Sequence, residues 1–177
     1  MKTHHGKHAV PPLDGEGLER LALGYAGRYA ATRAKLRSYL TRKLRERGWG
    51  GQGEPPVERI VERCAALGYV DDAAFASARA ESLSRRGYGA RRVDTALRAA
   101  GIEEADGAAA REHAQAAAWS AVLRFAERRR IGPFADEFPE RPEREKALAA
   151  MLRAGHPMGI ARRIVSAQPG QIPEADD

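Results

Sequence analysis

Leu44-Arg45-Glu46-Arg47-Gly48-Trp49 reads as the end of a helix: an apolar side chain, then one turn later a glycine, then a bulky residue. The arrangement returns as Leu97-Arg98-Ala99-Ala100-Gly101-Ile102 and again as Met151-Leu152-Arg153-Ala154-Gly155-His156, at spacings of 53 and 54 residues. Glycine just past the last periodic residue stops a helix because it enters the left-handed region without a Cβ clash. One such match arises readily by chance, whereas three at an even period read as an internal repeat.

The surroundings of each copy repeat as well. Before Gly48, Leu36, Tyr39, Leu40 and Leu44 fall at helical spacing behind Thr32, a residue suited to an N-cap. A stripe of Leu18, Leu21, Ala22, Tyr25, Ala26 and Tyr29 precedes them. A third stripe, Val57, Ile60, Val61, Cys64 and Leu67, opens after Pro55-Pro56 and stops at Gly68. In the second copy Asp71 or Asp72 caps a helix carrying Phe75, Ala76, Ala80 and Leu83, and Val93, Ala96, Leu97 and Ala100 mark the middle helix. Glu103 and Glu104 open the next one, with acid at the N-terminus favoured by the helix dipole. No proline or glycine lies between Ala108 and Arg130, so that stretch reads as one long helix or two. The third copy carries Trp119, Val122, Leu123 and Ala126, then Ala147, Met151 and Leu152, then Ile160, Ala161 and Ile164.

The expectation is an all-α protein: an elongated array of three tandem three-helix units, about nine helices, of unspecified curvature. The units span residues 17–70, 71–117 and 118–168, between a disordered N-terminal tail (1–16) and an acidic C-terminal tail (169–177). Composition agrees. Valine, isoleucine and threonine occupy only 17 of 177 positions, too few and too scattered for strands. Alanine, leucine, arginine and glutamate dominate, and all are good helix formers. One cysteine, Cys64, excludes an internal disulfide framework and fits a reducing compartment. No apolar run approaches the ~18–20 residues of a membrane helix, and no secretory leader is visible. A soluble, cytoplasmic monomer is expected.

The net charge is +6, and arginine supplies 25 of the 30 basic residues. A basic balance fits a polyanionic partner, although arginine and alanine also rise together for compositional reasons. Residues 17–70 carry 11 basic and 5 acidic side chains, residues 71–117 carry 7 and 8, and residues 118–168 carry 10 and 6. The sharpest cluster runs from Arg28 to Arg47, with eight basic residues against Glu46 alone. Arg85, Arg86, Arg91 and Arg92 flank a Gly-Tyr-Gly turn. Arginines at helix C-termini, such as Arg45–Arg47 and Arg128–Arg130, are accounted for by the helix dipole. Those near helix starts and turns are less so, and they become candidates for partner contact.

Catalytic arrangements find little support. Gly48-Trp49-Gly50-Gly51-Gln52-Gly53 spells a dinucleotide-binding motif, but a helix precedes it where a strand is required, and Glu54 follows where pyrophosphate would lie. No Walker-type phosphate loop occurs. His4, His5 and His8 could hold stray metal but lack further ligands at suitable spacing. His113 and His156 have no nucleophile partner in a recognisable arrangement, and a small enzyme built on either is a remote alternative. Cys64 lies on an apolar stripe, where free cysteine behaves as a small hydrophobe. Asp71-Asp72 at a helix start reads as capping rather than as a catalytic carboxylate pair. No catalytic residue, metal site or cofactor is expected.

Gly68-Tyr69-Val70-Asp71-Asp72-Ala73-Ala74-Phe75-Ala76, followed by Arg86, Gly89, Val93, Leu97 and Gly101-Ile102, resembles the central signature of the bacterial RecX regulatory family. The stretch from Ala26 to Gly48 is similar to that family's first unit, and Met151–Gly155 to its third, so that the likeness covers about residues 20–167. His156 departs from the pattern, which usually has an aromatic residue there, and the proline-containing loop 132–142 is a second departure. The resemblance implies a modulator that lodges in the groove of the RecA–DNA filament and restrains strand exchange, ATP hydrolysis and the coprotease activity that triggers the SOS response. It further implies that Tyr69, Phe75 and Val93 hold a unit together, that Asp72 caps, and that Gly101 ends the middle helix. Arg28, Arg33, Arg37, Arg86, Arg91 and Arg92 are the candidate contacts to RecA or to DNA. The rival reading is an arginine-rich helical module that binds DNA independently of RecA.

Overall fold

The computed structural model describes residues 11–175, so His4, His5 and His8 lie outside the described residues. Among those described the protein is all-helical: α1 (Gly15–Ala26), α2 (Arg33–Arg47), α3 (Val57–Ala66), α4 (Asp72–Arg85), α5 (Ala90–Ala99), α6 (Glu104–Ala116), α7 (Ala118–Arg129), α8 (Arg141–Arg153) and α9 (Met158–Ser166). A single 3-10 turn, Gly132–Phe134, lies between α7 and α8. One unit of the chain runs to Asp71 and the other begins at Asp72.

Local chemistry sets the boundaries. The Thr32 hydroxyl accepts a hydrogen bond from the Lys35 N–H at 3.2 Å and starts α2, as the Asp14 carboxylate accepts from Gly17 at 2.7 Å and starts α1. Gly48, Gly101 and Gly155, the repeated glycines, have φ of +79°, +71° and +91°. Any other residue there would be strained by roughly 1 kcal/mol or more. The residue after each glycine is thereby turned back toward its own bundle. Ile102 is buried, His156 is fully buried, and Trp49 packs against the first core with its indole N–H donating to the Gly53 carbonyl.

Three hydrophobic clusters result. Leu18, Leu36, Leu40, Ile60, Val61 and Cys64 join α1, α2 and α3. Full burial of each leucine contributes about 1.5–3 kcal/mol. The second cluster, from α4, α5 and α6, is built on alanines at 76, 80, 110 and 114 around Val93 and Leu97, so its helices approach closely. Arg111 of α6 closes it by donating to Asp94 of α5 at 2.8 Å, which holds that carboxyl below its ordinary pKa. The third cluster gathers Val122, Phe125, Met151, Ala161 and Ile164 from α7, α8 and α9.

Several expectations are corrected. Leu13, expected in a disordered tail, is 1% exposed and pairs with the end of α2: its N–H donates to the Gly48 carbonyl and its carbonyl accepts from Gly50. Arg47 adds two hydrogen bonds to the Pro11 carbonyl. The C-terminal segment is also held in part, since the Gly170 N–H donates to the Pro133 carbonyl at 2.8 Å and Arg163 to the Glu174 carbonyl. Tyr69 does not hold its bundle together. It is 53% exposed, and the neighbouring Val70 is the residue that enters the first core. Asp72 is the first residue of α4 and nearly buried, Asp71 precedes it on the surface, and Phe75 packs against the second cluster.

The stretch 104–129 is two helices, parted at Ala117 without proline or glycine. Ala110 and Ala114 enter the second cluster, while Val122, Phe125 and Ala126 enter the third. One straight rod cannot serve both cores, and the Ser120 hydroxyl donates to the Ala117 carbonyl at the bend. Tertiary packing, which single-residue propensity does not encode, places this break.

His156 is fully buried beside Phe125. Its ring meets Phe125 edge-on at 5.3 Å, and Nε2 lies 3.1 Å from the Gly87 carbonyl, so the neutral tautomer donates there. Nδ1 is buried without a partner. Burial lowers the imidazole pKa to about 4, against a smaller opposing effect of the Gly87 hydrogen bond. The unfolded ring takes up a proton near its ordinary 6.5 and the folded ring only near 4. Stability is therefore level above that window and falls as pH drops through it, by about 3 kcal/mol in all. His156→Phe is expected to remove this dependence. The difference in unfolding free energy between variant and parent, measured by urea titration at pH 7 and at pH 4, widens in the variant's favour by that amount.

Candidate partner interface

Two kinds of arginine emerge once the helices are assembled. On α2, Arg33 and Arg37 stand one turn apart and face Glu62 and Glu58, one turn apart on α3. Arg37 engages Glu58 through both Nε and Nη2, with contacts of 2.6, 2.9 and 2.7 Å, and the paired guanidinium holds the Glu58 carboxyl below its ordinary pKa. Arg33 Nε lies 3.9 Å from Glu62. These two candidate contacts clip α2 to α3. Arg28, by contrast, is exposed after the end of α1 and has no carboxylate within salt-bridge distance among the described residues.

The other three candidates surround the Gly87-Tyr88-Gly89 turn, which joins the second and third clusters. Tyr88 packs against both. The Gly89 N–H donates to the Ala154 carbonyl at 2.9 Å, and the Arg91 N–H reaches the Gly155 carbonyl at 3.3 Å. A Cβ on Gly89 would overlap the Gly155 carbonyl, so the two backbones meet only because residue 89 has no side chain. Arg86 lies over the Tyr88 ring at 5.3 Å, while Arg91 and Arg92 project from the first turn of α5.

Three further arginines frame the same turn. Arg124 donates to the Ser84 carbonyl at 3.1 Å, and Arg128 and Arg129 lie 6.0 and 5.6 Å from the Phe125 ring, whose backbone abuts Gly87. Arg86, Arg91, Arg92, Arg124, Arg128 and Arg129 are all exposed, and none has a carboxylate within salt-bridge distance among the described residues. Unneutralised like charges gathered around one turn create a positive potential that attracts an anionic partner. Along the sequence Arg128–Arg130 sit where the helix dipole accounts for them, and nothing near Arg124 marks it as part of this group. The missing signal is three-dimensional, because Arg124 meets Ser84 across a separation of 40 residues. Arg130 differs from its neighbours: it has φ of +51° and pairs with Asp136 at 2.6 Å.

Residues suited to chemistry do not converge. Among the described residues no group of three or more His, Cys, Asp or Glu side chains could hold a metal ion. Cys64 is buried in the first core, and burial raises its thiol pKa, which disfavours the reactive thiolate. His113 is exposed on α6, whereas His156 is buried. Among the described residues no helix is long and apolar enough to cross a membrane.

Residues 71–110, α4, α5 and the first half of α6, match the family described as RecX, second three-helix domain. The regulatory protein RecX of Myxococcus xanthus (strain DK1622) is 32% identical over 161 residues, 86% of this chain and 86% of its own length. That of a Thermus thermophilus strain is 31% identical over 140 residues, covering 79% and 87%. The crystal structure of RecX from Lactobacillus salivarius superposes with a TM-score of 0.62 at 17% identity, covering 85% of this chain and 93% of that one, which establishes a shared fold. The class is that of all-helical proteins that carry a three-helix domain of this type. The chain belongs to the RecX family.

The two kinds of arginine are separable by stability. Arg37→Ala is expected to lower the unfolding free energy by up to about 1 kcal/mol, the scale of a part-exposed ion pair. Arg91→Ala and Arg92→Ala, exposed in the first turn of α5 and unpaired among the described residues, are expected to change it by less than about 0.5 kcal/mol. Chemical denaturation of the three single variants checks both statements.

Proposed function

We propose that this protein binds the RecA–DNA filament and restrains its recombinase, ATP-hydrolysing and coprotease activities, thereby modulating recombinational repair and the SOS response without catalysing a reaction itself. Family membership carries the proposal. The exposed arginines around the Gly87–Gly89 turn support it physically. Contact with an acidic protein face or with phosphates becomes favourable where cations stand unneutralised, and their desolvation is then offset by the partner's charge. Because the turn joins two helical clusters, a partner bound there would also bias how the clusters pack.

The test adds purified full-length protein to RecA on single-stranded DNA and follows ATP hydrolysis. Slowing at or below equimolar protein is expected, and its absence would overturn the proposal. The triple variant Arg86→Glu, Arg91→Glu, Arg92→Glu, with its fold verified by circular dichroism, is expected to need at least roughly tenfold more protein for the same slowing, a loss of ~1.4 kcal/mol or more. Inhibition undiminished in that variant would remove these residues from the interface. Tight binding to free DNA that falls steeply with salt, with no effect on RecA beyond competition for DNA, would favour the independent DNA-binding module instead.

A further inference from the structure

The first helical group contains a feature that the RecA proposal does not use. Between α1 and α2 lies a cleft of about 480 Å³, within the range that takes a ligand of nucleotide size. Its floor is a row of tyrosine rings. Tyr25 and Tyr39 stack at 4.3 Å with an interplanar angle of 16°, and Tyr29 continues the row 5.2 Å from Tyr25. Tyr29 is 59% exposed and its ring is tilted by 47° from that of Tyr25, so most of the ring is open to solvent. Cations line the rest of the cleft: Arg20, Arg28, Arg42 and Lys43. Arg42 and Lys43 approach the Tyr39 ring at 5.6 and 5.9 Å, which anchors them beside the stack.

Charge and shape together select a ligand class. No carboxylate lines the cleft. Glu16 lies 3.4 Å from Arg20, and Glu46 pairs with Lys43 at 2.6 Å and with Arg42 at 3.7 Å, leaving Arg28 as the rim cation with no acidic partner among the described residues. A purely anionic ligand would satisfy the cations and leave the tyrosine face exposed. A purely apolar one would cover the ring and leave Arg28 without a counter-charge. A nucleotide offers both a flat base for the ring and a phosphate for the guanidinium, the pairing that recurs where proteins hold single strands. A duplex, whose bases are stacked and paired inside, cannot present a base to Tyr29.

We infer that the α1–α2 cleft binds a nucleotide unit of single-stranded nucleic acid, its base stacked on Tyr29 and its phosphate held by Arg28, the one cation of the cleft with no acidic partner among the described residues. The site shares no residue with the Gly87–Gly89 turn or the arginines around it, and it does not require RecA. Its test is therefore run without RecA, and its failure leaves the RecA proposal untouched.

Fluorescence anisotropy with a labelled oligothymidylate, using the full-length protein, reads the affinity directly. Tyr29→Ala is expected to weaken binding roughly tenfold, the scale of one lost base–aromatic stack. Arg28→Ala is expected to lower the salt slope by about 0.7, the contribution of one phosphate contact on a single strand. Both side chains are exposed, so circular dichroism melts should match the parent. Photocrosslinking of a 5-bromouracil-substituted oligomer, read by mass spectrometry, is expected to label Tyr29 or Tyr25. Three outcomes would overturn the inference: no oligothymidylate binding by the parent, affinity unchanged in Tyr29→Ala, or thymidine monophosphate binding as tightly as the oligomer. Equal competition by a glutamate-rich peptide in parent and Tyr29→Ala would likewise overturn it, in favour of an acidic protein partner.

Discussion

The structure depends on a backbone event repeated three times: the middle helix of each group ends on a glycine at positive φ. At Gly48, Gly101 and Gly155 the chain reverses within one residue and delivers the next side chain, Trp49, Ile102 or His156, back against its own core. A Cβ at these positions would strain the turn. At Gly155 it would also collide with the Arg92 backbone nitrogen. The glycine thus acts twice in the third group. It ends a helix, and it lets the α5 N-terminus and the α8 C-terminus meet backbone to backbone. The Gly87-Tyr88-Gly89 turn is the other half of that contact, and the positions of Arg86, Arg91 and Arg92 follow from it.

Arginine is abundant throughout, but its use differs from place to place. Arg33, Arg37 and Arg111 draw helices together through carboxylates on the neighbouring helix, and the depressed pKa values of Glu58 and Asp94 record those ties. Exposed pairs of this kind contribute little each. They matter here chiefly because they neutralise charge that would otherwise repel within a helix. The six arginines around the Gly87–Gly89 turn have no such neutralisation among the described residues. Charge that the fold does not consume is the physical basis for expecting a partner there.

Much of the fold is legible in the sequence, because helical periodicity, N-caps and stop glycines are local signals. Thr32, Gly48, Gly68 and Gly101 each mark a boundary within a residue or two of where it falls. What escapes is tertiary. The bend at Ala117 arises because α6 and α7 serve different cores, and no residue there advertises it. Leu13 pairs with the loop after α2, across a separation along the chain that no periodic pattern reveals. Tyr69 has the chemistry of a core residue, yet it points to solvent while Val70 turns inward. The candidate interface is half legible. Arg86, Arg91 and Arg92 flank an obvious turn, whereas Arg124, Arg128 and Arg129 join them only once α7 packs against that turn.

We propose that the surface around the Gly87–Gly89 turn meets the RecA filament. Hydrogen–deuterium exchange of the protein, alone and bound to RecA on single-stranded DNA, locates the contact. Slowed exchange confined to the amides of residues 85–93 and 123–130 is the expected result. Unchanged exchange in both segments, with protection elsewhere in the chain on binding, would contradict it.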